Sequence, residues 1–370
     1  MVVLMAEWGK SMFKFCCFLF LILFFFENQG ISQTRVQVLG SSSGNEGASS
    51  IAKHLISGDY FIGGYKDDSA LVVRTTGSGD VVWSRTIDAG PDPDYILCIQ
   101  ITSDNYVLLG GNARTSSSHN DYGFIVKMDL LGNIVWSRKY NAFGAYMWSQ
   151  SVIEVTNGNY RVTGSYNDNK QECFQIEFDE STGNVLWDSI YAQSPFGNAR
   201  DEAFNEVMEH PLNSSTYAAG RFEKGGGFGS YRPSLTKFNP NGSLDWSKTY
   251  LYGSGTSGGR LYTYSADHDA DSIVCGLIGV IGGSSPPFSA GIFKTDMSGN
   301  ISWAKEFDGG SLDLRSYNTV VTPLGYVLTG WVASGNKDLF MIKTDKQGNV
   351  IWSRTYGALG SDDVYLFSSN

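Results

Sequence analysis

One short motif occurs six times in this chain, and each copy ends around a tryptophan. The copy "MDLLGNIVWSRKY" spans residues 128 to 140, and in every copy a glycine lies four residues before the tryptophan. The tryptophans are 53, 51, 59, 57 and 49 residues apart. They are Trp83, Trp136, Trp187, Trp246, Trp303 and Trp352. This repeat constrains the fold strongly, because one supersecondary unit has to be built six times.

Each repeat reads as two β-hairpins. The recurring glycine is followed by Asp, Asn or Ser, and this pair between apolar runs is typical of a hairpin turn, since glycine adopts positive φ without a Cβ clash. A second hairpin precedes it, as in "EVTNGNYRVTG". Four short strands per unit result, which in the second unit fall at roughly 95–102, 105–111, 122–128 and 133–140.

A four-stranded sheet of this size cannot bury both faces alone, whereas sheets stacked around an axis can. The sequence therefore predicts an all-β fold, a β-propeller of four-stranded antiparallel blades. A solenoid is the alternative, but its repeats are usually shorter or helical. The tryptophan on the fourth, outermost strand is expected to seal the seam to the neighbouring blade, which is a structural role. Six complete blades are predicted, ending near residues 88, 140, 191, 250, 307 and 356.

The two termini complicate the ring. Residues 35–39 resemble an unpaired fourth strand, and "DVYLF" at 363–367 resembles an unpaired first strand. A partial seventh blade built from both termini, or a truncated seven-bladed chain, therefore remains open.

The N-terminal segment resembles a targeting signal. Lys10 and Lys14 precede the apolar run "FCCFLFLILFFF" at 15–26, which suits a signal-peptide core, whereas a membrane-spanning helix needs about 20 apolar residues. Small residues at Gly30 and Ser32 predict a signal peptide over 1–32 and a single propeller domain over 33–370, in a secreted, extracellular or lumenal protein. An uncleaved signal anchor is the alternative, and it would be the chain's only association with a membrane.

Charge and cysteine content exclude some classes of function. The net charge of -10 repels phosphate backbones, so no nucleic-acid partner is expected. Cys98, Cys173 and Cys275 follow the signal segment in apolar, strand-like surroundings and are predicted to be buried free thiols. No Cys-x-x-Cys or Cys/His cluster with zinc spacing occurs, so neither a metal nor a cofactor is expected.

The pattern "GDYFIGGY" with "LVVRTTGSGDVVWSRT" is similar to the repeats of secreted and surface-attached bacterial β-propeller proteins. The resemblance covers residues 35–370 and implies the fold, but no activity, since those repeats mostly occur in proteins of unassigned role. "FDESTGNVLWDS" at 178–189 also resembles the tryptophan-docking motif of quinoprotein dehydrogenase propellers. Their adjacent-cysteine disulfide has no counterpart in the mature chain, so quinone binding is not implied.

In a propeller, the connections from strand two to three and from strand four to the next blade emerge on one face, here named the loop face. Loops on a rigid scaffold often carry function. Aromatic rings beside guanidinium and carboxylate groups are typical of glycan or peptide recognition. The candidate binding residues on this face are Tyr146, Trp148, Arg200, Asp201, Tyr231, Arg232, Arg260 and Arg315.

No complete catalytic constellation is visible, since only His119 of the four histidines falls on the loop face. The sequence thus predicts a non-catalytic binding or adhesion module for a polysaccharide or protein, and not an enzyme. One alternative is a polysaccharide lyase or glycosidase with carboxylates near the propeller axis; another is a structural coat scaffold.

Three glycosylation sequons, at Asn213, Asn241 and Asn300, fall in turns on the opposite face, here named the turn face. Glycans there would cover the turn face and leave the loop face open for binding.

Overall fold

The computed structural model describes residues 2–4, 36–38, 45–87, 94–113, 122–141, 146–167, 171–191, 202–223, 231–251, 261–279, 288–333 and 337–356. All regular secondary structure in these ranges is β-strand, and none of the described residues forms a helix long and apolar enough to cross a membrane. The predicted signal peptide falls largely outside the described residues.

Six four-stranded antiparallel sheets form the blades, numbered in chain order. Blade 1 contains β3 (Glu46–Lys53), β4 (Tyr60–Lys66), β5 (Ser69–Thr75) and β6 (Val81–Ile87). Blade 2 contains β7 (Asp94–Ile101), β8 (Val107–Ala113), β9 (Tyr122–Met128) and β10 (Ile134–Tyr140). Blade 3 contains β11 (Tyr146–Glu154), β12 (Tyr160–Asn167), β13 (Gln171–Phe178) and β14 (Val185–Tyr191).

Blade 4 contains β15 (Glu202–His210), β16 (Ser215–Glu223), β17 (Tyr231–Phe238) and β18 (Leu244–Thr249). Blade 5 contains β19 (Leu261–Asp269), β20 (Ser272–Gly279), β21 (Ser289–Asp296) and β22 (Ile301–Phe307). Blade 6 contains β23 (Asp313–Thr322), β24 (Gly325–Ala333), β25 (Lys337–Thr344) and β26 (Val350–Tyr356). The prediction of an all-β propeller with six complete blades is confirmed.

Outside the blades, β1 (Val2–Leu4) pairs in parallel with β2 (Val36–Val38). The strand predicted at 35–39 therefore exists, but it belongs to a separate two-stranded sheet. The second unpaired strand, predicted at 363–367, lies outside the described residues.

Each blade begins with an innermost strand that carries a β-bulge at the same place. In five blades the residue facing the bulge on the second strand is a glycine, because a Cβ there would meet a backbone carbonyl oxygen of the first strand at 1.8–2.0 Å. These glycines are Gly64, Gly111, Gly164, Gly220 and Gly330. Glycine at this position of the second strand is thus a packing requirement of the bulge.

Apolar clusters fill the seams between consecutive blades. Phe61 and Val72 of blade 1 pack with Ile96 and Leu109 of blade 2, and corresponding clusters join blades 2 to 6 in sequence. Burying these faces is the main stabilising contribution to the stack of blades. Among the described strands, no comparable close packing joins blade 6 to blade 1.

The motif tryptophans lie at these seams. A Cβ added to Gly242 in blade 4 would be 2.3 Å from the indole of Trp187 in blade 3, so the ring packs directly against the turn of the next blade. The same contact joins Trp83 to Gly132, Trp136 to Gly183, Trp246 to Gly299 and Trp303 to Gly348. Trp352, in β26 of the last blade, is partly buried.

The three cysteines of the propeller are buried free thiols, as predicted. Cys98 and Cys173 lie in the clusters that join blade 2 to 3 and blade 3 to 4, and Cys275 lies in the cluster that joins blade 4 to 5. Burial raises the pKa of the Cys98 thiol to about 12. These cysteines therefore behave as small apolar side chains rather than as nucleophiles.

Candidate ligand-binding site

The predicted binding residues divide between described and undescribed parts of the loop face. Arg200, Asp201 and Arg260 lie outside the described residues, and for Tyr146 only the backbone of β11 is described. Trp148 is partly exposed on β11 in blade 3. The structure therefore describes the side chains of Trp148, Tyr231, Arg232 and Arg315 among the predicted set.

Tyr231 belongs to a continuous row of tyrosine rings that crosses three blades. Its ring centroid lies 5.2 Å from that of Tyr262, which lies 6.1 Å from Tyr264, which in turn lies 5.0 Å from Tyr317. All four side chains are partly exposed. These four residues, hereafter the tyrosine row, lead from blade 4 through blade 5 to blade 6.

The bulge in the innermost strands places the last two rings. The residue left unpaired by the bulge is tyrosine in blades 5 and 6, namely Tyr264 and Tyr317. A bulge redirects the side chain of its extra residue away from the regular alternation of the strand. The bulge residues of the other blades, in chain order, are Ser49, Leu97, Gln150 and Asn205.

Arg221 supports the start of the row. Its guanidinium carbon lies 5.7 Å from the centroid of Tyr231 and 5.8 Å from that of Tyr262. Cation–π attraction of this kind holds the two rings in place and puts a planar, permanently charged donor beside them. Arg232 is the next residue of β17, so its side chain leaves the opposite face of the sheet.

Arg315 plays a different part. Its guanidinium lies between Phe288 and Trp331, at 4.0 and 4.7 Å from their centroids, and it contacts the Asp313 carboxylate at 3.2 Å. Phe288 and Trp331 are both buried. The side chain is therefore held in a packed cluster between blades 5 and 6, where stacking accounts for its position.

Beneath the row, the innermost strands enclose a cavity of about 450 Å³. The residues around it come from β7, β11, β15, β19 and β23, one strand from each of blades 2 to 6. Ionisable side chains are prominent in its lining, namely Glu154, Glu206, Glu209, Asp267 and His268. This cavity is the central channel of the propeller.

Two of these carboxylates hold neighbouring turns. Glu154 accepts hydrogen bonds from the backbone N–H and the hydroxyl of Ser103, at 2.6 and 2.8 Å. Glu209 accepts the same pair from Thr156, at 2.8 and 2.7 Å. Both carboxylates are therefore engaged in fixing one blade against the next.

Glu206 is a departure from the repeat. It follows the bulge of β15, and the other five blades place a short side chain there: Ser50, Cys98, Ser151, Ser265 or Asn318. Its Oε2 accepts a hydrogen bond from the backbone N–H of Ala266 at 2.8 Å. Burial raises the pKa of the Glu206 carboxyl well above its ordinary value of 4.5, and the negative charge of Asp267 raises it further, against the lowering effect of the Ala266 N–H. Glu206 thus retains its proton to an unusually high pH.

Asp267 lies beside it on β19. Its two oxygens accept hydrogen bonds from the backbone N–H groups of His268 and Val321, both at 2.7 Å. The second of these bonds links blade 5 to blade 6. An acid that holds its proton and a neighbouring carboxylate thus share one cavity, an arrangement found where acid–base chemistry is performed.

At the turn-face end of the cavity, the ring of His268 lies 5.7 Å from that of His210. Burial, together with the charge of His268, lowers the pKa of His210. Its Nδ1 accepts from the backbone N–H of Leu212 at 3.3 Å, so the neutral ring carries its hydrogen on Nε2. Within the described ranges, no group of three or more His, Cys, Asp or Glu side chains is placed to hold a metal ion.

Sequence reasoning missed most of this site. Tyr262, Tyr264 and Tyr317 lie in innermost strands, where a tyrosine reads as a buried residue until the bulge is known. Glu206 and Asp267 look like ordinary alternating polar residues of a strand. The available signal was the repeat itself, since aligning the six first strands shows a carboxyl side chain in one copy where the others have short residues.

Comparison with models of known protein families gives no match, and comparison with curated proteins gives none either. Many solved structures share the fold. A periplasmic gluconolactonase from Pseudomonas aeruginosa is 12% identical with a TM-score of 0.57, covering 85% of this chain and 86% of its own. A protein from Lactobacillus plantarum is 9% identical with a TM-score of 0.57, covering 86% of each chain.

A Penicillium chrysogenum α-L-arabinanase, solved with arabinobiose, is 12% identical with a TM-score of 0.50, covering 73% of this chain and 82% of its own. At such identities the likeness concerns the fold, and the particular repeat family named from the sequence is not identified by it. It does correct one expectation. The prediction that the chain is not an enzyme, made because no complete catalytic constellation is visible in the sequence, is contradicted, because the propellers that share its fold include enzymes.

Proposed function

We propose that the chain binds a saccharide along the tyrosine row on its loop face. The observation that carries the proposal is the unbroken series of four partly exposed rings, 5.0–6.1 Å apart, across blades 4 to 6. The apolar C–H faces of sugar rings stack on aromatic side chains, which is a common mode of saccharide recognition. A ligand of repeating rings matches a repeating row.

The surroundings of the row favour a hydroxylated ligand. Arg221 places a guanidinium donor against two of the rings, and the cavity below adds carboxyl groups that accept hydrogen bonds from hydroxyls. Two similar propellers are named for sugar compounds, a gluconolactonase and an arabinanase with bound arabinobiose. They agree with a sugar ligand for this chain, although the proposal depends on the row.

We also propose that the chain works outside the cytosol. The predicted signal peptide over 1–32 supports this, and its removal would take away β1 while leaving all six blades intact. Expression with the native N-terminus and N-terminal sequencing of the secreted product tests it. A secreted product beginning near Gln33 is expected, and a chain that stays in the cytosol with its N-terminus intact would contradict the proposal.

A glycan array probed with the purified chain, with calcium and again with a chelator, tests saccharide binding. Tyr262→Ala should abolish the signal, whereas the matched variant Tyr262→Phe, which keeps the ring, should retain most of it. Binding that survives Tyr262→Ala, or an array without signal in both conditions, would contradict the proposal. The second outcome would leave a protein ligand for the loop face.

A further inference from the structure

We propose that the central channel beneath the tyrosine row is a catalytic site for hydrolysis of a glycosidic bond, with Glu206 as the general acid and Asp267 as the general base. The inference rests on the proposed saccharide binding and states what the chain does to the bound saccharide.

The cavity provides the space and the acid. Glu206 and Asp267 both line the cavity of about 450 Å³. One oxygen of Glu206 is held by the Ala266 N–H, and the other accepts no hydrogen bond from a described residue. A carboxylic acid fixed at one oxygen presents the remaining one to whatever enters the cavity, which is the arrangement that proton donation requires.

The row and the acid are adjacent. Tyr264 stands two residues before Ala266 on β19, which is about 7 Å along an extended strand, and Ala266 is the residue that holds Glu206. A saccharide stacked on the inner end of the row therefore has its next linkage at the mouth of the cavity that contains both carboxyl groups.

The fold itself does not need a carboxyl at this position. In blade 1 the hydroxyl of Ser50 accepts the equivalent backbone N–H, that of Ile99, at 3.2 Å. A serine thus satisfies the same donor without placing an ionisable group there. Since partial desolvation of a carboxylate is unfavourable, the presence of the partly exposed Glu206 in one blade alone is best explained by chemistry at the cavity.

Glu206 gives its proton to the glycosidic oxygen as the bond from that oxygen to the anomeric carbon breaks. A water molecule attacks the same carbon, and the Asp267 carboxylate takes the proton that the water loses. Solvent in the channel then carries a proton from Asp267 back to Glu206. The products are one sugar with a free hydroxyl and one hemiacetal, with inversion at the anomeric carbon.

The test uses the full chain and fluorescently tagged pentose and hexose oligosaccharides, chosen among those that bind on the array, with products separated by chromatography. Wild-type chain should release shortened saccharides. Glu206→Gln should lower the rate about 10²- to 10⁴-fold while array binding stays unchanged. Asp188→Asn, on exposed outer strand β14, is the matched acid-to-amide control and should cleave like wild type.

Leaving-group dependence separates an acid from a structural residue. Glu206→Gln should recover most of its activity on the dinitrophenyl glycoside of the same sugar, whose leaving group needs no proton, and Asp267→Asn should not. Saccharides that bind but are never cleaved by the wild-type chain would overturn the inference and leave the binding proposal standing. Cleavage that is unaffected by Glu206→Gln would overturn the inference as well. If the wild-type chain neither binds nor cleaves any of the glycans, both the binding proposal and the cleavage proposal are wrong.

Discussion

The Oε2 atom of Glu206 accepts a hydrogen bond from the backbone N–H of Ala266, 2.8 Å away across the seam between blades 4 and 5. In the equivalent seam between blades 1 and 2, the hydroxyl of Ser50 holds the N–H of Ile99. The two contacts fix neighbouring blades in the same way, but in one of them the acceptor is a partly desolvated carboxyl group.

Replacing Glu206 by Gln should therefore stabilise the fold by about 0.5–2 kcal/mol at neutral pH. Below the ordinary pKa of 4.5, the carboxyl is protonated in the folded and unfolded chains alike, so its ionisation does not change the free energy of unfolding. As the pH rises, the unfolded chain releases the proton while the folded chain keeps it, and stability falls until the raised pKa is passed. Thermal unfolding of both proteins between about pH 4 and about pH 8 measures this, and a difference that does not grow with pH would contradict it.

The buried ion pair of Arg161 and Glu177 should be sensitive to loss of one partner. Their side chains meet at 2.8 Å within blade 3, and Arg161 also donates to Thr216 of blade 4 at 3.1 Å. Glu177→Leu alone should cost about 3–5 kcal/mol, because it leaves a buried guanidinium without its counter-charge. The double variant Arg161→Met with Glu177→Leu should recover much of that loss in urea unfolding. Equal losses for the single and double variants would show that the charge is not the cause.

The seam contact of Trp187 can be separated from backbone strain. Gly242→Ala puts a methyl group 2.3 Å from the indole at a φ of +81°, whereas Gly58→Ala has a similar φ of +75° and open space. Strain alone should cost Gly58→Ala about 1–2 kcal/mol, and the clash should add about 1–3 kcal/mol for Gly242→Ala. Equal unfolding free energies for the two variants would mean that the Trp187 side chain moves away from the added methyl group without a loss of stability.

Among the three sequons, Asn241 should be the most fully glycosylated in a host that modifies them. It is exposed, and its Oδ1 accepts bonds from Ser243 while its Nδ2 makes none to a described residue. Asn300 instead donates to Asp296 at 2.9 Å and accepts from Lys248 at 2.9 Å. Glycopeptide mass spectrometry gives the occupancy of each site, and higher occupancy at Asn300 than at Asn241 would contradict this ordering.

The repeat predicted the architecture because each copy carries the local signals of its own turns. The hairpin glycines, the alternating strands and the tryptophan spacing depend on neighbours within a few residues. The site depends instead on which innermost residue the bulge turns inward and on which strands meet across the channel. Tyr264, Tyr317 and Glu206 acquire their roles from contacts with other blades, about fifty residues away in sequence. Strand alternation alone predicts buried positions for the two tyrosines and an ordinary polar strand position for Glu206.

Saccharide binding along the row and cleavage in the channel are tested together by a crystal structure of the Glu206→Gln variant with the tagged saccharide that binds most strongly on the array. We expect sugar rings stacked on Tyr262 and Tyr264, with a glycosidic oxygen within hydrogen-bonding distance of the side-chain amide that the substitution introduces. A saccharide bound away from the row, or stacked on it with no linkage near the channel, would contradict the central claim.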